Sequence, residues 1–127
     1  MHKNNTETSA LIEEIIAKKA SNDTEIVVAP TFVNLALAVE VSSGKGITVA
    51  AQNMHQAEGG AFTGEISANM LTSIGVNTVI LGHSERRAYF HETDALLASK
   101  VDTALKHNMR IIFCLGEELK DWQINNH

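Results

Sequence analysis

The sequence of 127 residues has little of several features that mark particular classes of protein. Cys114 is its only cysteine, so no disulfide can form within the chain, and a reducing cytosolic compartment is the simplest fit. One proline and eight glycines exclude collagen-like and low-complexity chains. The longest unbroken apolar runs have five residues, far below the roughly 20 needed to cross a bilayer. We therefore expect no membrane partner, no secretory signal and a cytoplasmic location.

Positive charge is also scarce. Lys and Arg total 10 against 15 Asp and Glu, which gives a net charge of -5 if the six histidines are neutral. This balance disfavours binding to a phosphate backbone, so nucleic acid is not an expected partner. The hydrophobic fraction of 44% and the charged fraction of 20% are ordinary for a globular chain. At roughly 150 residues per domain, the length predicts a single domain.

Four short runs rich in β-branched residues predict strands. Their hydrophobicity is continuous rather than alternating, which is typical of a parallel sheet covered by helices on its faces. The runs begin 21, 29 and 35 residues apart, close to the roughly 30 residues of a βαβ unit. The predicted strands are residues 26–29, 47–51, 76–81 and 111–115.

The segments around these strands carry helix signals, namely apolar residues at helical spacing and polar residues that can cap a helix. Ser67 can cap a helix whose Met70, Leu71 and Ile74 are expected to face inward, and Gly75 can end it. No linker or domain boundary interrupts the resulting order αβαβαβαβ, so the predicted fold class is α/β. The predicted helices lie between Thr6 and Ser21, from Pro30 to before Gly44, from Ser67 to Gly75, and onward from Thr93.

The long loop, residues 52–66, is out of proportion to the other connections. Loops of about fifteen residues without secondary structure are usually functional or disordered. Three glycines surround Phe62, which is expected to be exposed at the tip of the loop. A partner chain is the natural candidate for packing against it.

The third predicted strand ends in residues 82–87, with the sequence GHSERR. Ligands of parallel α/β folds bind where strands end, because loops and helix N-termini gather there, and His83 is the first side chain past the strand. If Ser84 caps a following helix, the positive end of that helix disfavours a second proton on the imidazole. A neutral ring is a hydrogen-bond donor suited to polarising a carbonyl. From periodicity alone, however, a histidine that only packs at a strand end is the favoured interpretation.

Four stretches, in the same order along the chain, resemble the triosephosphate isomerase family. Residues 79–87 (VILGHSERR) resemble its signature, and residues 60–67 (GAFTGEIS) resemble its long interdigitating loop. Residues 51–53 (AQN) and 114–117 (CLGE) are similar to the ends of its third and fifth strands. The resemblance covers nearly the whole chain. It implies a partial (β/α)8 TIM barrel, with four parallel strands and flanking helices that match strands two to five of the family.

The resemblance implies an intramolecular aldose-ketose isomerase of glycolysis and gluconeogenesis, which interconverts dihydroxyacetone phosphate and D-glyceraldehyde 3-phosphate and needs no cofactor. The family is a standing example of a histidine kept neutral by a helix N-terminus, and His83 matches that electrophile. Glu85 matches a residue that supports the site by contacting the catalytic lysine, and Ser84 and Asn53 match further supporting residues. At the interface of a homodimer the resemblance places Phe62, Thr63, Gly64, Glu65 and Arg86, with Glu65 and Arg86 meeting across the interface.

A full barrel of this kind has eight strand-helix pairs and roughly 250 residues. The 127 residues offer no counterpart of the family's glutamate base, its flexible lid, its phosphate-binding loops or its lysine, which would precede Met1. Two hypotheses stay open. The chain is an incomplete form of the isomerase, or it is a catalytically inactive half-barrel that self-associates or binds phosphate weakly. The histidines outside the motif have no metal-ligand spacing, so no metal is expected: His2, His55, His91, His107 and His127.

Overall fold

The computed structural model describes residues 1–19 and 23–116. Glu117, the last residue of the CLGE stretch, therefore lies outside the described residues. The described part alternates helices and strands, with two helices rather than one before the last strand. In chain order the elements are α1 (Asn5–Lys18), β1 (Ile26–Val28), a 3-10 turn (Phe32–Asn34), α2 (Leu35–Ser42), β2 (Ile47–Ala51), α3 (Ala68–Ser73), β3 (Thr78–Leu81), α4 (Ser84–Tyr89), α5 (Asp94–Lys106) and β4 (Arg110–Phe113).

The four strands form one sheet in the order β1-β2-β3-β4, and every pair of neighbours is parallel. Ile26 is opposite Ile47, Ala50 is opposite Thr78, and Thr78 is opposite Arg110. Each strand thus lies beside the strand that precedes it in the chain, with a helical crossover between them, as expected for successive βαβ units. The predicted parallel α/β sheet is confirmed.

Successive strand residues point to opposite faces of the sheet, and the two faces have different surroundings. On one face Val49 and Val79 pack with Ile12 of α1, Leu35 of α2 and Leu71 of α3, and these side chains form the main core. The other face carries the alternate residues and has no helix packed on it in the described part of the chain. The residues of this helix-free face are Val27, Thr48, Ala50, Thr78, Ile80, Arg110 and Ile112.

Side-chain caps mark the starts of α1, α3 and α5. At the start of α1 the Asn4 Oδ1 atom accepts the Glu7 backbone N–H at 3.0 Å, and the Glu7 carboxylate accepts the Asn4 backbone N–H at 2.9 Å. This reciprocal capping box satisfies two backbone donors that the helix leaves free. Ser67 and Thr93 cap α3 and α5 with one hydrogen bond each, because their hydroxyl oxygens accept the backbone N–H of Met70 and of Leu96. Both residues were predicted at the starts of these helices.

The second helix begins later than predicted. The 3-10 turn at Phe32–Asn34 precedes α2, which starts at Leu35 rather than near Pro30. The buried side-chain amide of Asn34 donates a hydrogen bond of 2.8 Å to the carbonyl oxygen of Lys3. Because this contact joins residues far apart in the chain, local sequence spacing could not predict it.

The segment from α3 to β3 also departs from the prediction. Val76 is buried, but its N–H donates to the Leu71 carbonyl at 3.0 Å, so this residue belongs to the turn after α3, and β3 starts at Thr78. Met70 and Ile74 were predicted to face inward and are instead 55% and 36% exposed. A helix of six residues covers fewer than two turns, and it buries only a narrow strip that includes Leu71.

An ion pair joins the start of β4 to Glu25, the residue just before β1. The Arg110 guanidinium lies 2.5 Å from Oε1 of Glu25, and the Thr48 hydroxyl donates to the same oxygen at 3.0 Å. Because β2 and β3 separate β1 from β4, this contact links parts of the sheet that share no backbone hydrogen bonds. The hydrogen bonds from Arg110 and Thr48 lower the pKa of Glu25, and the Glu25 carboxylate raises the pKa of Arg110.

Acid is expected to weaken the fold partly through Glu25. Because the pKa of Glu25 is lower in the folded state than in the unfolded state, its stabilisation is full above the unfolded pKa and is lost as pH falls through the folded pKa. Between neutral pH and about pH 3, the urea midpoint of Glu25→Gln should therefore fall less than that of the parent. Glu40→Gln, which changes an exposed carboxylate on α2, is the matched control and should follow the parent.

Salt gives a second check on the same ion pair. The side chains of Arg110 and Glu25 are 54% and 47% exposed, so dissolved ions can screen their attraction. The difference in acid response between Glu25→Gln and the parent should therefore shrink in about 1 M salt. Identical acid responses of the two proteins at low salt would contradict the role given to Glu25.

Candidate active site and interface loop

The candidate site lies at the C-terminal end of β3, where Gly82 turns the chain. Gly82 has a φ of +79°, and a Cβ atom there would lie 2.8 Å from the carbonyl oxygen of Cys114. The left-handed backbone and the close approach of the segment after β4 both require glycine at this position. The turn leaves His83 as the first side chain beyond the strand, with 47% of that side chain exposed.

The imidazole of His83 itself caps α4. Its Nδ1 atom accepts the backbone N–H of Glu85 at 3.3 Å, and a nitrogen that accepts a hydrogen bond carries no proton. This contact assigns the proton of the neutral ring to Nε2, which is then the donor available to a bound molecule. The prediction that Ser84 is the N-cap is wrong. After the Gly82 turn His83 has the extended ψ of 139° that precedes a helix, and Ser84 is already helical.

Charged neighbours hold the start of α4 in place. The Arg87 Nε atom donates to the Gly82 carbonyl at 2.9 Å, and its Nη1 atom lies 2.8 Å from a carboxylate oxygen of Asp94. Glu85 places a carboxylate oxygen 3.8 Å from Nδ1 of His83, and its side chain is 72% exposed. Arg87 thus ties α4 both to the strand before it and to the helix after it, which fixes the segment that carries the imidazole.

The long loop is shaped by contacts within itself. The His55 N–H donates to the Ile66 carbonyl at 2.8 Å and closes the base of the loop. The His55 ring packs against Phe62 with 4.4 Å between ring centroids, yet 47% of Phe62 stays exposed, as predicted. The remaining predicted interface residues of the loop are all exposed: Thr63, Gly64 and Glu65.

A buried charge cluster lies between the long loop and α5. The Lys100 side chain is 4% exposed, and its Nζ atom donates to Glu92 Oε1 at 2.5 Å and to Asn53 Oδ1 at 2.8 Å. The Arg86 Nε atom donates to the same Glu92 oxygen at 2.7 Å. Within residues 1–19 and 23–116, Glu92 Oε2 is buried and has no hydrogen-bond partner. Asn53 and Arg86, two of the predicted site and interface residues, therefore meet in one cluster inside the chain.

Glu92 is the central acid of this cluster, and the sequence analysis missed it. Burial raises the pKa of Glu92, but hydrogen bonds from Lys100 and Arg86 outweigh burial, so the pKa lies below its ordinary value. A signal was present in α5, where Lys100 falls between Leu97 and Ala104 in the apolar stripe of the helix. A lysine in such a stripe needs a buried partner, because burying an unpaired charge costs several kcal/mol.

The predicted contact between Glu65 and Arg86 is not formed within the described chain. Arg86 is bonded to Glu92, and its guanidinium carbon lies 4.6 Å from the centre of the Phe90 ring. Glu65 is exposed, and its N–H donates to the Phe62 carbonyl at 3.0 Å. Contact between Glu65 and Arg86 across two subunits stays a prediction.

The described residues contain neither a cluster of potential metal ligands nor a membrane-spanning helix. Across residues 1–19 and 23–116, no three His, Cys, Asp or Glu side chains are grouped closely enough to hold a metal ion. In the same two segments, no helix has the length and apolar character needed to cross a membrane. Cys114 is a free, partly buried cysteine.

Known proteins match the chain along its whole length. A sequence model of triosephosphate isomerase matches residues 1–127. The triosephosphate isomerase of Flavobacterium johnsoniae is 68% identical over 128 aligned positions, which cover 100% of this chain and 51% of the relative. That of Flavobacterium psychrophilum is 65% identical with the same coverage, and that of Clostridium acetobutylicum is 51% identical over 96% of this chain and 50% of the relative.

The chain spans about half the length of these curated relatives. Its four parallel strands with flanking helices accordingly form part of a TIM barrel, as the sequence analysis predicted. The family match extends over every residue of the chain, including the turn that carries His83 and the long loop. The chain belongs to the triosephosphate isomerase family.

Proposed function

We propose that the protein acts in the interconversion of dihydroxyacetone phosphate and D-glyceraldehyde 3-phosphate, with His83 as the neutral electrophile. The observation that carries this proposal is the hydrogen bond from the Glu85 N–H to Nδ1 of His83. It leaves an Nε2 proton on an imidazole that is half exposed at the C-terminal end of a strand. Family membership adds the reaction, since the relatives are named triosephosphate isomerase.

The proposed reaction moves one proton between adjacent carbons. A carboxylate base takes a proton from the carbon next to the carbonyl, and the electron pair moves onto the carbonyl oxygen to give an enediolate. The base returns the proton to the other carbon, while the hydroxyl proton passes to the former carbonyl oxygen and the other oxygen becomes the carbonyl. No electrons are gained or lost overall, so no cofactor is needed. The Nε2–H of His83 donates to the oxygens, and this hydrogen bond strengthens as negative charge develops on them.

The first test is isomerase activity of a polypeptide that consists of these 127 residues. We expect negligible turnover, because the sequence contains no counterpart of the family's base, lysine or phosphate-binding loops. A coupled assay against a complete triosephosphate isomerase at equal concentration measures this directly. Turnover within about tenfold of the complete enzyme, a barrier difference of about 1.4 kcal/mol, would overturn the expectation.

The second candidate function is that of an inactive half-barrel that associates with itself or binds phosphate weakly. The helix-free face favours it, because Ile80 and Ile112 are only partly buried there and offer apolar surface to another chain. Mixing the polypeptide with the C-terminal half of a relative separates the two candidates. Restored isomerase activity supports the proposed reaction, whereas a stable self-associated species that ignores the added half supports the second candidate.

We also propose that the protein works as a homodimer in the cytoplasm, in glycolysis and gluconeogenesis, with triose phosphate as substrate and neither nucleic acid nor membrane as partner. The long loop supports the dimer, since Phe62 is half exposed at its tip beside the exposed Thr63 and Gly64. The single free thiol is compatible with a reducing compartment. In this proposal Glu65 of one subunit meets Arg86 of the other.

Charged substitutions at the tip of the long loop are expected to weaken the dimer. Phe62→Asp or Thr63→Arg would bury an unpaired charge at the contact, so the dissociation constant should rise at least about tenfold, or about 1.4 kcal/mol. Sedimentation equilibrium measures the shift from dimer towards monomer. Ala98→Arg, which adds a charge to an exposed position of α5, is the control and should leave the mass unchanged. An unaltered mass for both loop variants would place the loop outside any interface.

A further inference from the structure

One face of α5 contacts the long loop at three points. Lys100, Thr103 and His107 lie three and then four residues apart, so they share one side of the helix and its C-terminal cap. Their partners follow one another along the loop in the same direction. The contacts are Lys100 Nζ to Asn53 Oδ1 at 2.8 Å, Thr103 Oγ1 to the Gln56 carbonyl at 2.6 Å, and His107 Nε2 to Glu58 Oε2 at 2.6 Å.

We call Lys100, Thr103 and His107 the α5 polar face, and its contacts become more exposed along the helix. The Lys100 side chain is 4% exposed and belongs to the buried charge cluster. His107 is 24% exposed and its partner Glu58 is 60% exposed. The contact at Lys100 therefore anchors the N-terminal end of the loop in the core. The contact at His107 can be removed without disturbing buried residues.

The α5 polar face acts on the same segment that presents Phe62. Glu58 stands four residues before Phe62, and the His55 ring that packs against Phe62 lies between the Asn53 and Gln56 contacts in the chain. Residues 52–66 contain no helix or strand, so their position depends on such side-chain contacts rather than on a backbone hydrogen-bond ladder. Anchoring the loop before association also reduces the ordering entropy that binding would otherwise cost.

We infer that the α5 polar face positions the long loop for association with a second copy of the chain, and that the contact between His107 and Glu58 tunes the affinity of that association. The inference rests on the proposed role of the loop as a dimer interface. The inference makes His107 and Thr103 positioning residues, because they would act through the loop that they contact. The contact with Glu58 needs a donor on His107 Nε2, which both the neutral ring protonated there and the charged ring provide.

The test compares His107→Ala and Glu58→Ala, separately and together, with the parent protein. Hydrogen exchange read by mass spectrometry should show the amides of the long loop exchanging about tenfold faster in each variant, with those of β2 and β3 unchanged. The dimer dissociation constant should rise about threefold to tenfold. The double variant should match the single variants, because all three remove one and the same contact.

Two further variants control for other effects of these changes. Lys106→Ala alters the exposed neighbour of His107 at the end of α5 and should change neither exchange nor association. Glu58→Gln keeps an acceptor oxygen for His107 and should recover most of the loop protection that Glu58→Ala loses.

The outcomes separate this inference from the dimer proposal on which it rests. Unchanged exchange of the loop in both alanine variants would overturn the positioning role. Suppose that Phe62→Asp weakens the dimer, whereas the alanine variants speed exchange of the loop but leave the dissociation constant unchanged. This result would overturn the link between loop position and association. If Phe62→Asp also leaves the mass unchanged, the dimer proposal fails, and the exchange rates still decide whether the α5 polar face positions the loop.

Discussion

Replacing His83 by glutamine in a complete isomerase should lower kcat by about a hundredfold or more while changing KM by less than about threefold. In the proposed reaction, the hydrogen bond from Nε2 stabilises most when the substrate oxygens carry the negative charge of the enediolate, so its loss should raise the energy of the transition state more than that of the bound substrate. Steady-state kinetics in both reaction directions measure the split between the two constants. A kcat equal to that of the parent would remove His83 from the mechanism.

The same substitution also removes the cap of α4, so a second variant must separate the two effects. His83→Asn restores a good capping side chain for the Glu85 N–H but ends too close to the backbone to replace the Nε2 donor. The asparagine variant should therefore regain the unfolding midpoint that the glutamine variant loses, and its kcat should stay low. Recovery of kcat in the asparagine variant would mean that the histidine acts only through the helix start.

The position of His83 was predictable because two local signals agree there. The continuous apolar run predicts a buried strand, and Gly82 followed by polar residues indicates where this strand ends. The residue that caps α4 could not be predicted from the usual N-cap preferences, because these favour a serine such as Ser84 over a histidine. The left-handed Gly82 turn starts the helix one residue earlier than those preferences suggest, and an imidazole nitrogen then takes the acceptor role.

The buried charge cluster was harder to predict because its members come from distant parts of the chain. Glu92 follows α4, Lys100 lies in α5 and Asn53 is the second residue of the long loop. Their contacts therefore depend on how α5 packs against the sheet. A lysine in a helix is usually exposed to solvent. Only the position of Lys100 between Leu97 and Ala104, in the apolar stripe of α5, indicates that it is buried. The contacts of Thr103 and His107 with the loop had no such mark, since both residues are common on solvated helix faces.

Replacing Lys100 by methionine is expected to lower the free energy of unfolding by about 3 kcal/mol. Methionine fills most of the volume of the lysine stem but leaves Glu92 with Arg86 as its remaining donor and leaves Asn53 Oδ1 without its partner. Urea unfolding followed by circular dichroism measures the loss. Lys106→Met makes the same change at an exposed position of α5 and should stay within about 0.5 kcal/mol of the parent.

A double variant keeps this prediction testable if Lys100→Met folds poorly. Glu92→Gln removes the carboxylate that Lys100→Met leaves with Arg86 as its remaining donor, so the combination should be less destabilised than the sum of the two single losses. A double variant whose loss equals that sum would show that Lys100 and Glu92 contribute independently, which contradicts the ion pair.

The acid response of Lys100→Met follows from the balance of effects on Glu92. In the parent, donors outweigh burial and lower the pKa of Glu92, so its stabilisation is present above the unfolded pKa and fades as pH falls through the folded pKa. Without the Lys100 donor, burial carries more weight and moves the folded pKa upward, which favours the protonated acid in the folded state. The stability gap between parent and variant should therefore narrow as pH falls from about 7 to about 4. A stability gap of constant size over that range would mean that Lys100→Met loses stability through packing rather than through the charge of Glu92.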